Sequence, residues 1–127
     1  MNDKREVLLV RSNKWGDKYT VPGGHIELGE RAEDAVVREV KEEAGLDCAA
    51  LDLLVVQQAI YPKDYHKHEH YIFMDYVCKV KTATPEVKLD GRELQSFIWV
   101  RPDEALKLNL EEYTRTFVVK YLEKYGR

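Results

Sequence analysis

Glu39, Glu42 and Glu43 crowd the second half of residues 31–44 (RAEDAVVREVKEEA), a segment with helical periodicity. At about 100° per residue, Ala32, Ala35, Val36 and Val40 form the apolar side of such a helix. Glu39 and Glu43 project into that same sector and Glu42 lies on its flank. Like charges aimed at a packing face are costly unless a cation or hydrogen bonds compensate. A hard divalent ion bound through oxygens is the economical compensation. The competing reading is a solvated helix laced by Glu–Lys and Glu–Arg pairs, which string REVKEE alone would also satisfy.

The preceding loop separates the two readings. Gly24 is followed after five residues by Glu30, and after seven more by Arg38-Glu39-Val40-Lys41-Glu42-Glu43-Ala44-Gly45-Leu46. The pattern is G-x5-E-x7-R-E-U-x-E-E-x-G-U, with U a bulky aliphatic, and it has no mismatch. Residue frequencies give a chance occurrence on the order of one in ten million. On these residues the chain resembles the Nudix hydrolases, tightly over residues 22–46 and loosely over most of its length.

The resemblance implies a Nudix-type α/β/α sandwich with a mixed sheet and a loop–helix–loop metal site. It implies that the Gly24 carbonyl and the carboxylates of Glu39, Glu42 and Glu43 bind metal, and that Glu30 and Arg38 tie the loop to the helix. Glu39 is also a candidate to act on the attacking water. The cofactor implied is Mg2+, with Mn2+ as the alternative. The implied reaction is hydrolysis of the diphosphate linkage of a nucleoside diphosphate derivative. Water must reach a phosphorus whose oxygens are already negative, and a cation offsets that charge and acidifies water. No nucleophilic Ser or Cys is required.

Outside this signature the signals are weaker. Asp90-Gly91-Arg92-Glu93-Leu94 resembles an acidic loop that supplies a further ligand or base in many relatives, and Glu93 is the candidate; a solvated loop carboxylate is the alternative. Trp99 reads as core rather than as a substrate platform. Tyr19 stands where relatives often carry Trp, which leaves open a stacking role. His66, His68 and His70 alternate in DYHKHEHYI and would share one face of a strand. Zinc is conceivable there, but the usual ligand spacings are absent, and a polar rim beside the site is the preferred reading. His25 receives no role. Pro62 falls at a spacing that the family associates with ADP-ribose pyrophosphatases, although a strand end explains it equally. ADP-ribose or a nucleotide sugar is therefore slightly favoured. Nucleoside triphosphates, dinucleoside polyphosphates (Tyr61 and Tyr65 lie where such hydrolases carry Tyr) and a non-catalytic nucleotide-binding module are the alternatives. The module would be expected to lack one or more of the signature carboxylates, and none is missing.

The elements that must position these groups follow from periodicity. Residues 6–12 (EVLLVRS) predict a buried strand, 13–17 a turn and 18–21 a returning strand. Pro22-Gly23-Gly24 breaks regular structure. Helix 31–44 stops at Gly45. Residues 51–61, 71–80 and 96–100 predict further strands, and Pro102 opens a helix. Residues 110–125 carry Leu110, Thr114, Phe117, Val118, Tyr121 and Tyr125 on one helical stripe. Strands interleaved with helices in this order predict an α/β domain.

The 127 residues suit one domain, 1–127. With 20 Lys and Arg against 23 Asp and Glu, the net charge of −3 argues against a nucleic-acid binder. Apolar runs are too short to span a membrane, and the start MNDKRE lacks a secretory core. Cys48 and Cys78 show no metal or disulfide spacing, so a cytoplasmic protein acting on a nucleotide-type small molecule is expected. Relatives usually carry one more strand before the one resembling EVLLVRS. Its absence or truncation here would leave a sheet edge that invites pairing, and makes a homodimer an expectation.

Overall fold

The computed structural model describes residues 1–92 and 94–126. Its strands are β1 (Val7–Ser12), β2 (Tyr19–Thr20), β3 (Cys48–Ile60), β4 (His70–Val80) and β5 (Leu94–Val100). Its helices are α1 (Ala32–Ala44), α2 (Pro102–Ala105) and α3 (Glu112–Tyr125), with a 3-10 turn at Asn13–Trp15. β1 lies at the centre of an antiparallel sheet ordered β2-β1-β5, and β3 pairs with β4 in a long antiparallel ribbon. The parallel component is an isolated bridge between Tyr19 and Leu110.

The aliphatic run of β1 is explained by burial on both faces. Side chains alternate along a strand. Leu8 and Val10 enter one core with Ala44 and Leu46 from the end of α1, Val80 and Leu94. Leu9 points the other way, into a core with Ala105, Leu110 and Val118. The sheet is therefore covered by α1 on one side and by α2 and α3 on the other, the sandwich the resemblance implies.

Element ends differ from the periodicity reading for local reasons. β3 starts at Cys48 rather than at 51, and register shifts between Ala50 and Asp52 and between Leu53 and Val55 absorb the extra length. α3 starts at Glu112 rather than at 110. The Glu111 carboxylate caps it, accepting from the amides of Tyr113 (2.8 Å) and Thr114 (3.0 Å). Leu110 is spent on the bridge to Tyr19.

α1 carries Glu33 and Asp34 in its first turn and Lys41 in its last, in accord with the helix dipole. It ends at Gly45, whose φ of 71° is left-handed. The last carbonyls are met from a distant segment: the Lys88 amide donates to Ala44 O (2.8 Å) and the Asp90 amide to Glu43 O (3.0 Å). That docks the loop before β5 against the carboxylate-bearing end of α1. Among the described residues no helix is long and apolar enough to cross a membrane.

Leu9 is fully buried and Leu28 fully exposed. Leu9→Ala is expected to cost about 2–5 kcal/mol of unfolding free energy. Leu28→Ala should stay within about 0.5 kcal/mol of the parent. Urea denaturation of both variants checks the pair.

Candidate functional site

The α1 carboxylates meet the loop before the helix at two adjacent glycines. The Gly23 amide donates to Glu43 Oε2 (2.8 Å). A Cβ on Gly24 would overlap the Glu39 carboxylate group, so a side chain here would push that carboxylate away from the loop. The Glu39 side chain is 15% exposed and that of Glu42 58%. Glu39 and Glu43 thus face inward against the loop, and Glu42 sits on the open flank, as the helical geometry predicted.

Arg38 holds this corner together. Its Nε and Nη2 donate to the two oxygens of Glu30 (2.8 and 3.0 Å), a bidentate fork. Nη2 also donates to the His25 carbonyl (2.9 Å), and Nη1 to Glu39 Oε1 (2.9 Å) and Glu42 Oε2 (3.2 Å). Glu30 Oε1 further accepts the Glu27 amide (3.1 Å). Hydrogen bonding from Arg38, then from the Glu27 amide, holds the Glu30 carboxyl below its ordinary range. Hydrogen bonding to Glu30 in turn raises the Arg38 guanidinium, which stays charged.

The donors suit a hard cation: carboxylate oxygens beside a glycine backbone, with no sulfur or imidazole among them. Among the described residues no three acidic, His or Cys side chains stand together as a metal-holding group. Glu39 and Glu42 share Arg38 as their counter-charge instead. The space that Gly24 leaves beside Glu39 is where the loop and helix could hold a metal between them. Glu93 lies outside the described residues.

This corner opens into a cleft of about 630 Å³. Beyond Gly24, Glu39 and Glu43, the lining includes Trp15, Tyr65, Tyr71, Phe73 and Tyr113, together with core residues such as Leu8, Val10 and Val80. Trp15 packs 4.5 Å from Tyr65, Tyr65 edge-on to Tyr71 at 5.4 Å, Tyr71 5.6 Å from Phe73, and Phe73 5.6 Å from Tyr113. Two loops are tied to form it. The His66 amide donates to Lys14 O (2.8 Å), and Lys18 Nζ pairs with Asp64 Oδ2 at 3.0 Å.

Tyr71, Phe73 and Asp75 alternate along β4 and share one face. Gln57 Nε2 bridges Asp75 Oδ2 (2.8 Å) and the Tyr113 carbonyl (2.9 Å). Burial pushes the Asp75 carboxyl up to about 6, reinforced by nearby Glu111 and opposed by Gln57. Burial, with Glu69 and Tyr65 as partners, raises the Tyr71 phenol.

Trp15, Tyr71, Phe73, Tyr113 and Asp75 were not singled out by the motif; the period-two alternation of Tyr71, Phe73 and Asp75 was the available signal. Tyr19 takes no place in the wall. It packs with the core around Leu9, its ring under the Arg11 guanidinium at 5.6 Å, because its backbone is clamped between Asn109 and Glu111. Trp99 packs against the core around Leu8 and Val10. The three histidines go separate ways: His66 stacks on Tyr65, His68 on Tyr61, and His70, at the start of β4, meets Gln58 through Nε2. The His25 ring lies 5.7 Å from Tyr71. Pro62 is buried in a turn, its carbonyl accepting the Tyr65 amide (3.2 Å).

Comparison with known proteins agrees with the fold. The model of the NUDIX domain matches residues 1–121. Diphosphoinositol polyphosphate phosphohydrolase 3-alpha of Mus musculus is 33% identical over 119 residues, 94% of this chain and 68% of the relative. The asymmetrical bis(5'-nucleosyl)-tetraphosphatase of Sus scrofa is 30% identical over 114 residues, 84% of this chain and 71% of the relative. Among solved structures, the MutT protein of Methanosarcina mazei Go1 superposes with a TM-score of 0.77 at 24% identity, covering 99% of this chain and 89% of that one. An Ap4A hydrolase binary complex from C. elegans gives 0.73 at 22%, covering 94% and 85%.

The Glu30–Arg38 fork has a pH signature. Because the folded Glu30 carboxyl is depressed, its contribution is present above the ordinary carboxylate value and is lost as pH falls through the folded one. Glu30→Gln should therefore lower the urea midpoint near pH 7 and leave it close to the parent's near pH 3. Equal losses at both values would show that the fork is not the source.

Proposed function

The chain belongs to the Nudix hydrolases, enzymes acting on phosphorus anhydrides, and from that premise we propose that its substrate is a nucleotide with a diphosphate linkage. The base would lie on the aromatic wall, and the phosphates would reach the Gly24–Glu39–Glu43 corner. The observation carrying this reading is that wall and corner line one continuous cleft. Aromatic rings offer a nucleobase face-to-face or edge contact.

The relatives named above act on two unlike substrates, and the lining favours one. An inositol polyphosphate has no base to stack and needs a cluster of cations. Among the described lining residues, Lys14 is the single Lys or Arg. A nucleotide fits better, and the tetraphosphatase relative makes dinucleoside polyphosphates candidates beside nucleoside triphosphates, ADP-ribose and nucleotide sugars. Pro62 is buried in a turn after β3, a structural placement that explains it as well as the family spacing does.

Divalent cations are general in this family. Here Mg2+, or Mn2+, would be held by the Gly24 carbonyl, Glu39, Glu42 and Glu43. When bound, such an ion offsets charge on the phosphate oxygens and acidifies water. The protein's own groups do the rest. Arg38 and Glu30 fix the loop against α1, and Gly23 N–H orients Glu43. Glu39, with Glu93 as the other candidate, accepts the proton of the attacking water. The aromatic wall excludes bulk water from the linkage.

Glu43→Gln keeps an oxygen for the Gly23 amide but removes a charge. It should cut turnover by about 100-fold or more with the melting temperature unchanged. Near-parental activity would remove Glu43 from the metal set. A panel of nucleoside triphosphates, dinucleoside polyphosphates, ADP-ribose and diphosphoinositol polyphosphate, assayed with Mg2+, should show turnover of nucleotides over the inositol compound. The reverse preference overturns the substrate reading, and no turnover at all favours a binding module.

A further inference from the structure

Asp75 is the carboxylate in the cleft that the reaction leaves without a task. Four acidic side chains line the cleft among the described residues: Glu39, Glu43, Asp75 and Glu111. Glu39 and Glu43 belong to the α1 corner. Glu111 gives both oxygens to the first amides of α3. Asp75 gives only Oδ2, to Gln57, and Oδ1 has no protein partner among the described residues.

Its placement is specific. Asp75 follows Tyr71 and Phe73 on the same face of β4, at the end of the aromatic wall nearest α3. Gln57 is itself anchored to the Tyr113 carbonyl, so the carboxylate plane is held in place. Burial disfavours the charged form, and a single neutral donor compensates it incompletely. A ligand that stacks on the wall and offers N–H donors at its edge would complete the set.

We infer that Asp75 is a specificity-determining residue that reads the edge of the bound base, favouring a guanine-type edge with two adjacent N–H donors over an adenine-type edge. An ionised carboxylate only accepts hydrogen bonds. Guanine presents N1–H and N2–H2 side by side, whereas adenine presents a ring-nitrogen lone pair next to its amine. Reading a base by its hydrogen-bonding edge while aromatic rings hold its faces is a general mode of recognition. The inference rests on the nucleotide reading proposed above.

Asp75→Asn is close to isosteric. It keeps an oxygen for Gln57 Nε2 and turns an N–H toward the cleft where an acceptor stood. The test is kcat and KM for the guanosine, inosine and adenosine forms of one nucleoside polyphosphate. The parent should prefer guanosine over adenosine by about tenfold in kcat/KM, with inosine, which lacks the N2 amine, between them. In the Asn variant the preference should collapse through KM, with kcat for the adenosine form within about threefold of the parent. Turnover of all three forms by the parent at equal KM, or an unchanged preference in the variant, overturns the role of Asp75 and leaves the nucleotide reading standing. Absence of turnover on every form, together with none on the nucleotide panel above, sinks the nucleotide-hydrolase reading itself. If the variant does not fold, the parent's order across the three bases decides the inference alone.

Discussion

Arg38 meets four carboxylates, Glu27, Glu30, Glu39 and Glu42, and one backbone carbonyl, that of His25. The corner of the molecule where loop 22–31 enters α1 concentrates negative charge that would otherwise push loop and helix apart. A lysine could not replace this guanidinium, because the planar fork satisfies Glu30 at two points while a third nitrogen faces Glu39 and Glu42. With the loop pinned, Gly23 and Gly24 are brought against Glu43 and Glu39. The absent Cβ of Gly24 and the inward lean of Glu39 are two sides of one constraint.

The rest of the fold serves to hold α1 at a fixed height and rotation. Its C-terminal end is stitched at Ala44 and Glu43 by amides of Lys88 and Asp90, and Ala44, with Leu46 just beyond the helix, enters the core under β1. The β3–β4 ribbon then presents its Tyr71–Phe73–Asp75 face across the cleft. α3, capped by Glu111, supplies Tyr113 to close the far end. A polar corner and an aromatic wall thereby share one space, which is what a substrate with a charged linkage and a flat base requires.

The polar half of this site was legible in the sequence because its parts are local. Glu39 and Glu43 lie one helical turn apart and share a face by the 3.6-residue period, and Glu30 and Gly24 stand a few residues upstream. The aromatic half was not. Trp15 and Tyr65 become neighbours only through contacts between two loops far apart in the chain, such as His66 N–H to Lys14 O. Periodicity on β4 marks Tyr71, Phe73 and Asp75 as co-facial, but not which face looks into the cleft. Tyr19 misled for a related reason. It stands where relatives often carry Trp, which left a stacking role open, while its backbone bridge to Leu110 turned it into the core. The strand ends at Cys48 and Leu94 were hidden by register shifts, which leave no trace in hydrophobic pattern.

The central claim is that loop and helix form a divalent-cation cradle at Gly24, Glu39 and Glu43. Paramagnetic broadening of backbone amide NMR signals during titration with Mn2+ tests it without any assumption about substrate. The account predicts that the amides of Gly23, Gly24 and the α1 segment from Glu39 to Glu43 are lost first, and that excess Mg2+ restores them. Broadening that begins instead in the histidine loop 61–70, or spreads evenly over the acidic surface, would contradict it.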